Sequence, residues 1–250
     1  MDAIVEVAQA VLTGSGAAIG LAACVQSIAG FGFALVAIAL LPLFLDLQLA
    51  IPLVLTMCLL SNIALLVRYR ESFDWRSIVG LVLSALVMIP VGLVGLHYLP
   101  EQVARRVLGG FVVLYVAYDM ARLVTPVLTM PVLESPRWAY LFGGVSGFLT
   151  GAFTTGGPPL VMYANSKEWS PEQFKGNLPA VYVVAIAFAL AGHAAEGHLT
   201  PELGWLALSC LPLFAVGLAV GMTLSGWIDA KAFKRIVLVL LSLVGLKLMV

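Results

Sequence analysis

Apolar runs close to 20 residues long recur along the whole chain, and that length restricts what it can fold into. At 1.5 Å per residue, about 20 helical residues cross a hydrocarbon core of about 30 Å. Six runs read as full spans: 48–68, 77–99, 103–122, 175–195, 202–223 and 230–249. Short polar stretches separate them, such as "RYRESFDWR" at 68–76 and "AAEGHLTPE" at 194–202. Only 10% of the 250 residues are charged and 62% are hydrophobic. A soluble domain carries about 25% charged residues, so this chain lacks the polar side chains to cover a soluble surface. No polar stretch is long enough for a separate soluble domain. The class indicated is an all-α polytopic membrane protein embedded in a lipid bilayer.

Two further segments exceed one span. Residues 15–45 are interrupted by "AGFGFA" and residues 138–166 by "TTGGPP". An unbroken helix of about 30 residues measures about 45 Å, too long for the core unless steeply tilted. Glycine and proline break helices, so each segment is expected to be two short helices meeting at a break. The opening "MDAIVEVAQAVLTG" places Asp2 and Glu6 where a cleaved signal carries positive charge. It is expected to be an amphipathic helix, lying along the interface or opening a long span.

The halves repeat one plan of a broken segment followed by three spans. Pro52 and Pro179 are 127 residues apart, "VGL" recurs at 91 and 216, and Arg105-Arg106 matches Lys234-Arg235. A duplication is therefore expected, with 1–124 as the first repeat, 125–137 as linker and 138–250 as the second repeat.

Charge discriminates between two topologies. If both broken segments cross the membrane, one side holds seven basic residues (Arg105, Arg106, Lys167, Lys175, Lys231, Lys234, Arg235) and the other six. If both are re-entrant hairpins, one side holds ten and the other keeps only Arg105, Arg106 and Lys247. Ten against three is a positive-inside bias. The expected architecture is two four-segment inverted repeats, each a broken re-entrant hairpin plus three transmembrane helices. Both termini then face outside and the two hairpin tips approach near the midplane.

Backbone freed from helical bonding is tolerated at membrane depth only where protein or a wet cavity satisfies it. One break per repeat is a pointer to a transporter's binding site. Thr155 or Gly156 is placed to cap the helix after the second break, with Pro158 in its first turn. Gly30, Gly32 and Phe33 do the same at the first. Helix N-termini favour anions. Neither hairpin carries a cation, so the donors would be neutral: Gln26, Ser27, Thr154 and Thr155, with Asn62 and Asn177 from the following spans. The bland alternative is close helix packing at the glycines and hydroxyls bonded to their own backbone.

Other features carry less. Asp119, beside Tyr115 and Tyr118, is placed to pair with Arg122 or to relay protons. His97, His193 and His198 lie near span ends without a metal-ligand spacing. Trp75, Trp138, Trp169, Trp205 and Trp227 sit where an interfacial belt would. Cys24, Cys58 and Cys210 show no paired spacing, which argues against a disulfide or metal role. No serine–histidine–acid pattern, HExxH or P-loop appears, so neither hydrolysis nor ATP-driven transport is expected. No metal, cofactor or nucleic acid is called for.

The break "AGFGFALVAIALLP", its counterpart "GFLTGAFTTGGPPL" and the duplicated four-segment plan resemble the sulfite exporter TauE/SafE family over essentially the whole chain. The resemblance implies a small bacterial inner-membrane transporter for sulfur-containing anions such as sulfite, sulfoacetate or other organosulfonates. The family's glycine cluster falls on Gly30, Gly32, Gly156 and Gly157. The first cluster departs from consecutive glycines, because Phe31 and Phe33 alternate with them. The function expected is secondary transport by alternating access, with protons, sodium or the substrate's own gradient as driving force. The rivals are a transporter of a carboxylate, amino acid or cation, and a membrane-embedded partner subunit. Oligomeric state and direction of transport stay open at this point.

Overall fold

The computed structural model describes residues 2–98, 135–167 and 169–225, together with 227 and parts of 100–120; for 2–13, 96 and 97 it describes backbone only. Among these residues the secondary structure is helical, with no strand. Eight α-helices described over their full length fall in two groups along the chain. The first set is α1 (Asp2–Ala29), α2 (Phe33–Leu40), α3 (Leu47–Arg68) and α4 (Trp75–His97). The second is α5 (Arg137–Phe153), α6 (Gly157–Ser166), α7 (Pro171–Ala195) and α8 (Pro201–Leu224). The spans 103–122 and 230–249, the linker, Asp119, Arg122 and the His97 side chain lie outside the described residues or are described only in fragments.

Helices α3, α4, α7 and α8 are each long and apolar enough to cross a membrane. Their outward faces are apolar too: Leu83, Val87, Val91 and Val94 form one exposed stripe on α4, and Trp205, Leu208, Val216 and Val220 another on α8. Val87 is 70% exposed. Soluble proteins rarely show contiguous apolar patches of this kind, and lipid is the solvent that covers them. The chain is a multi-pass membrane protein. Its N-terminal segment does not lie apart, because 2–29 form one continuous helix.

Small residues set the helix contacts. On α5, Gly143, Gly147 and Gly151 recur every four residues, and a methyl group on any of them would strike the carbonyl oxygens of Leu81, Ala85 and Ile89 on α4. Backbones meet there without intervening side chains, as small-residue stripes allow in membranes. Both numberings rise together along the contact, so α4 and α5 run parallel. The same device joins α1 to α8, where Gly217 abuts Gly20 and Gly221 abuts Cys24 and Ser27. These two are parallel as well.

Helix directions follow from contacts at the ends. Asp74, just before α4, donates its backbone N–H to Asn177 Oδ1 near the start of α7 at 2.8 Å. At the far ends, Gly192 of α7 faces the Leu93 side chain of α4, so α4 and α7 run parallel. The short turn 69–74 reverses the chain between α3 and α4, and Lys175 Nζ stands 5.5 Å from the Tyr69 ring centroid. Helix α3 therefore ends where α7 begins, and the two are antiparallel.

Both broken segments fold back on themselves. Gly14 of α1 meets the Phe44 ring beyond α2. Phe142 of α5 meets Tyr163 of α6, ring centroids 6.0 Å apart. Basic residues of two connections gather at one end of the bundle: Arg68, Arg70 and Arg76 beside Lys175, with Arg76 and Lys167 lining one cavity near the start of α5.

Candidate functional site

The first break spans 30–32. Gly30 N–H donates to Gln26 O at 2.7 Å and closes α1. Gly30 and Gly32 take φ of 82° and 103°, a region that side chains other than glycine enter at a cost. Gly32 then caps α2, whose first internal bond is Val36 N–H to Gly32 O at 3.0 Å. The amides of the first turn, Phe33, Ala34 and Leu35, have no intrahelical acceptor. That of Ala34 turns to the Cys58 sulfur.

The second break spans 154–156. Thr154 ends α5 with φ 59°, its N–H bonded to Thr150 O at 3.0 Å. Thr155 N–H reaches Leu149 O at 3.2 Å. Ser146 Oγ donates to Gly156 O at 2.7 Å and pins the break against α5. Gly156, not Thr155, is the N-cap of α6. Pro158 and Pro159 occupy its first turn and carry no N–H, so this helix end offers fewer donors than α2 does.

Both breaks open onto one cavity. It is lined by Gln26, Gly32, Phe33, Asn62, Thr154, Thr155 and Gly157 of the residues named from sequence, and further by Ala34, Leu35, Cys58, Thr150, Tyr182 and Ile186. Among the described residues no charged side chain lines it. Gln26 Nε2 donates to Asn62 Oδ1 at 2.8 Å, and Asn62 Nδ2 donates to Cys58 O at 2.7 Å. Four polar atoms around it are buried without a partner: Gln26 Oε1, Thr154 Oγ1, Thr155 Oγ1 and the Tyr182 hydroxyl. Buried polar groups are usually paired, and four unpaired ones gather in this place. The cavity holds ≈ 20 Å³ of room for the centre of a water molecule. That admits about one water, so the bundle is closed tightly around the tips.

The other residues named from sequence lie elsewhere. Ser27 Oγ donates to Ala23 O at 2.8 Å and its side chain packs on Gly221. Gly30 faces Phe174 and Lys175. Gly156 is packed into Ser146 and Thr150, where no methyl group fits. Asn177 holds the α3–α4 turn through Asp74. Sequence reading missed Thr150, Cys58 and Tyr182. Thr150 sits one helical turn before Thr154 and was legible in principle; Cys58 and Tyr182 lie in uniformly apolar helices that give no sign of which side faces inward.

At the opposite end of α7, the turn 196–198 brings His193, Glu196 and His198 together, with ligand-type atoms within 4.8 Å of one another. The spacing of these residues had suggested no such cluster. Its short contact, His193 Nδ1 to His198 Nδ1 at 3.0 Å, is accounted for by one N–H···N hydrogen bond.

The chain is 24% identical over 243 residues to a protein of Cupriavidus necator described as a probable sulfite/organosulfonate exporter TauE; the match covers 95% of this chain and 93% of that one. No solved structure matches. The model of the family described as sulfite exporter TauE/SafE matches residues 15–248, nearly the full length, and the chain therefore belongs to that family of transporters, which are not enzymes.

Proposed function

We propose that this protein is a secondary transporter that moves sulfite or small organosulfonates across the inner membrane by alternating access around its two helix breaks. The observation that carries the reading is the shared cavity, where both breaks meet with four unpaired polar atoms and, among the described residues, no charge. An anion there is held by neutral donors, the Phe33, Leu35 and Gly157 amides and the Thr154, Thr155 and Tyr182 hydroxyls, while Gln26 Oε1 is placed to accept from a protonated oxyanion. Helix N-termini supply partial positive charge at developed anion sites. Asn62 orients Gln26. Ser27, Gly30, Gly156 and Asn177 hold the breaks and the turn in place rather than touch the substrate. The family and the C. necator relative, described as a sulfite/organosulfonate exporter, support the substrate class.

The architecture proposed is a pair of inverted repeats divided near 125–137, each with a re-entrant hairpin. Its support is the pairing of equivalents: α4 with α5 mirrors α8 with α1, and α3 is antiparallel to its counterpart α7. Each broken segment also returns toward the end from which it came. The gathering of Arg68, Arg70, Arg76, Lys167 and Lys175 at one end supports that end as cytoplasmic, and the proposed topology then has both termini outside. The closed cavity has to widen for an anion to bind, and rocking of one repeat against the other does this. A proton or sodium gradient, or the substrate's own, drives the cycle.

The test is flux into proteoliposomes of the purified protein with sulfite, sulfoacetate, taurine and acetate. Saturable flux of sulfite or sulfoacetate above that of acetate is expected. Specific flux of none of them removes the substrate assignment.

A further inference from the structure

Helix α7 ends in a local backbone motif that determines which side chains meet beyond it. Gly197 takes φ 77°, a left-handed conformation that glycine enters freely. Its N–H donates to Ala194 O at 3.1 Å, and the His198 N–H donates to His193 O at 2.9 Å. This pair of bonds is the Schellman motif. It turns the residue after the glycine back onto the last turn of the helix, where an apolar contact usually joins the two. Here both positions are histidine.

The His193 and His198 Nδ1 atoms stand 3.0 Å apart. Glu196, between them in the turn, brings Oε2 to 3.4 Å from His198 Nδ1. One ligand-type atom from each of the three residues lies within 4.8 Å of the others. Bonds of about 2.0–2.2 Å from a tetrahedral metal ion set neighbouring ligand atoms about 3.3–3.6 Å apart. Two of the separations already stand close to that range. The third can close by side-chain rotation, because His198 and Glu196 are 38% and 40% exposed. His193 is the buried member. Its Nε2 is enclosed without a partner, so Nδ1 is the nitrogen it presents to the cluster.

Electrostatics favour a cation here. The C-terminus of α7 carries partial negative charge, and Glu196 adds a carboxylate. Two imidazoles and a carboxylate suit zinc and its neighbours, whereas calcium and magnesium prefer all-oxygen sets. The three ligands come from six consecutive residues fixed by backbone hydrogen bonds, so no distant packing is needed to assemble them.

We propose that His193, Glu196 and His198 bind a divalent transition-metal ion of the zinc class, tying the last turn of α7 to the connection that leads into α8. Without metal, one N–H···N bond between the two Nδ1 atoms holds the rings together. The ion takes the place of that proton, which moves to Nε2 of its own ring, so neutral imidazoles release no net proton. Three protein ligands leave a fourth position for water. The site lies at the end of α7 remote from Asn177 and the Asp74 turn, and it does not depend on the transport reading.

The experiment is equilibrium dialysis of radiolabelled zinc against tag-free, full-length protein in phosphatidylcholine nanodiscs, with excess magnesium present. One saturable zinc per chain is expected. Glu196→Gln and His198→Asn, both at partly exposed positions, should each weaken it by about tenfold or more, since losing even an outer-shell partner costs that much. His97→Asn, at the third histidine of the chain, should bind as wild type does. Zinc should raise the melting temperature of wild type and leave that of His198→Asn unchanged. Absence of saturable zinc binding overturns the proposal, and so does binding that His198→Asn and Glu196→Gln both leave intact; the cluster is then a helix cap alone. Zinc that magnesium displaces also overturns it, assigning the ion to surface carboxylates.

Discussion

Gln26 and Asn62 face one another across the tip cavity, the Gln26 amide donating to Asn62 Oδ1 at 2.8 Å. Asn62 is itself fixed to its own helix through Cys58 O. Asn62→Leu leaves the Gln26 amide buried without an acceptor, which costs about 1–3 kcal/mol. The double variant Gln26→Leu/Asn62→Leu should regain part of that stability, since removing both partners is closer to neutral than removing one. Sulfite binding should stay lost in both. Thermal unfolding and sulfite dialysis on the same preparations check this; a double variant that binds like wild type would exclude Gln26 from the site.

The α4–α5 contact makes a sharp comparison between neighbouring glycines. A methyl group on Gly147 meets the Ala85 backbone, whereas one on Gly144 meets only the Met88 Cγ at 3.5 Å. Gly147→Ala should destabilise by about 1–3 kcal/mol, the usual range for overpacking. Gly144→Ala should be neutral or mildly stabilising. Chemical or thermal unfolding in detergent separates the two.

Thr154 is the one described residue other than glycine with positive φ, at 59°. Its hydroxyl is buried without a partner beside the cavity. Backbone cost retained at such a place points to use of the side chain. Thr154→Gly should raise stability by up to about 1 kcal/mol and weaken sulfite binding several-fold. Gain in melting temperature without loss of binding would assign Thr154 a purely structural role.

Asp74 provides a pH signature at the proposed cytoplasmic end. Its carboxyl is held below the usual range, first by the hydrogen bond from the Ser77 hydroxyl and then by the Arg76 amide. A lowered folded-state pKa means that this contribution to stability is present above the unfolded value, about 3.9, and is lost as pH falls through the folded value. Wild type should therefore exceed Asp74→Asn in melting temperature near neutrality, with the gap closing below about pH 4. A gap constant with pH would contradict it.

Some of this was legible in the chain and some was not, for physical reasons. The breaks stood out because glycine and proline are conspicuous in apolar sequence, and the structure interrupts both helices at 30–32 and 154–156. The start of α7 was set four residues late, at 175, because its first turn is polar. The capping box Ser170–Gln173, with Gln173 N–H on Ser170 Oγ at 3.2 Å and Ser170 N–H on Gln173 Oε1 at 3.0 Å, marks the start at Pro171. Tyr182 was invisible because α7 is apolar all round, and such a helix carries no record of its inward face. Asn177 looked like a site residue because it follows the second break, yet its partner is 103 positions away at Asp74. Only the antiparallel packing of α3 and α7 brings that turn to it.

A structure of the protein with sulfite or sulfoacetate bound tests the central claim most directly. Density for the anion should lie between the first turn of α2 at Phe33–Leu35 and the break at Thr154–Gly157, within hydrogen-bond distance of Gln26 or the threonine hydroxyls. Density confined to a place that neither break reaches, or breaks that stand apart when the ligand is bound, would contradict it.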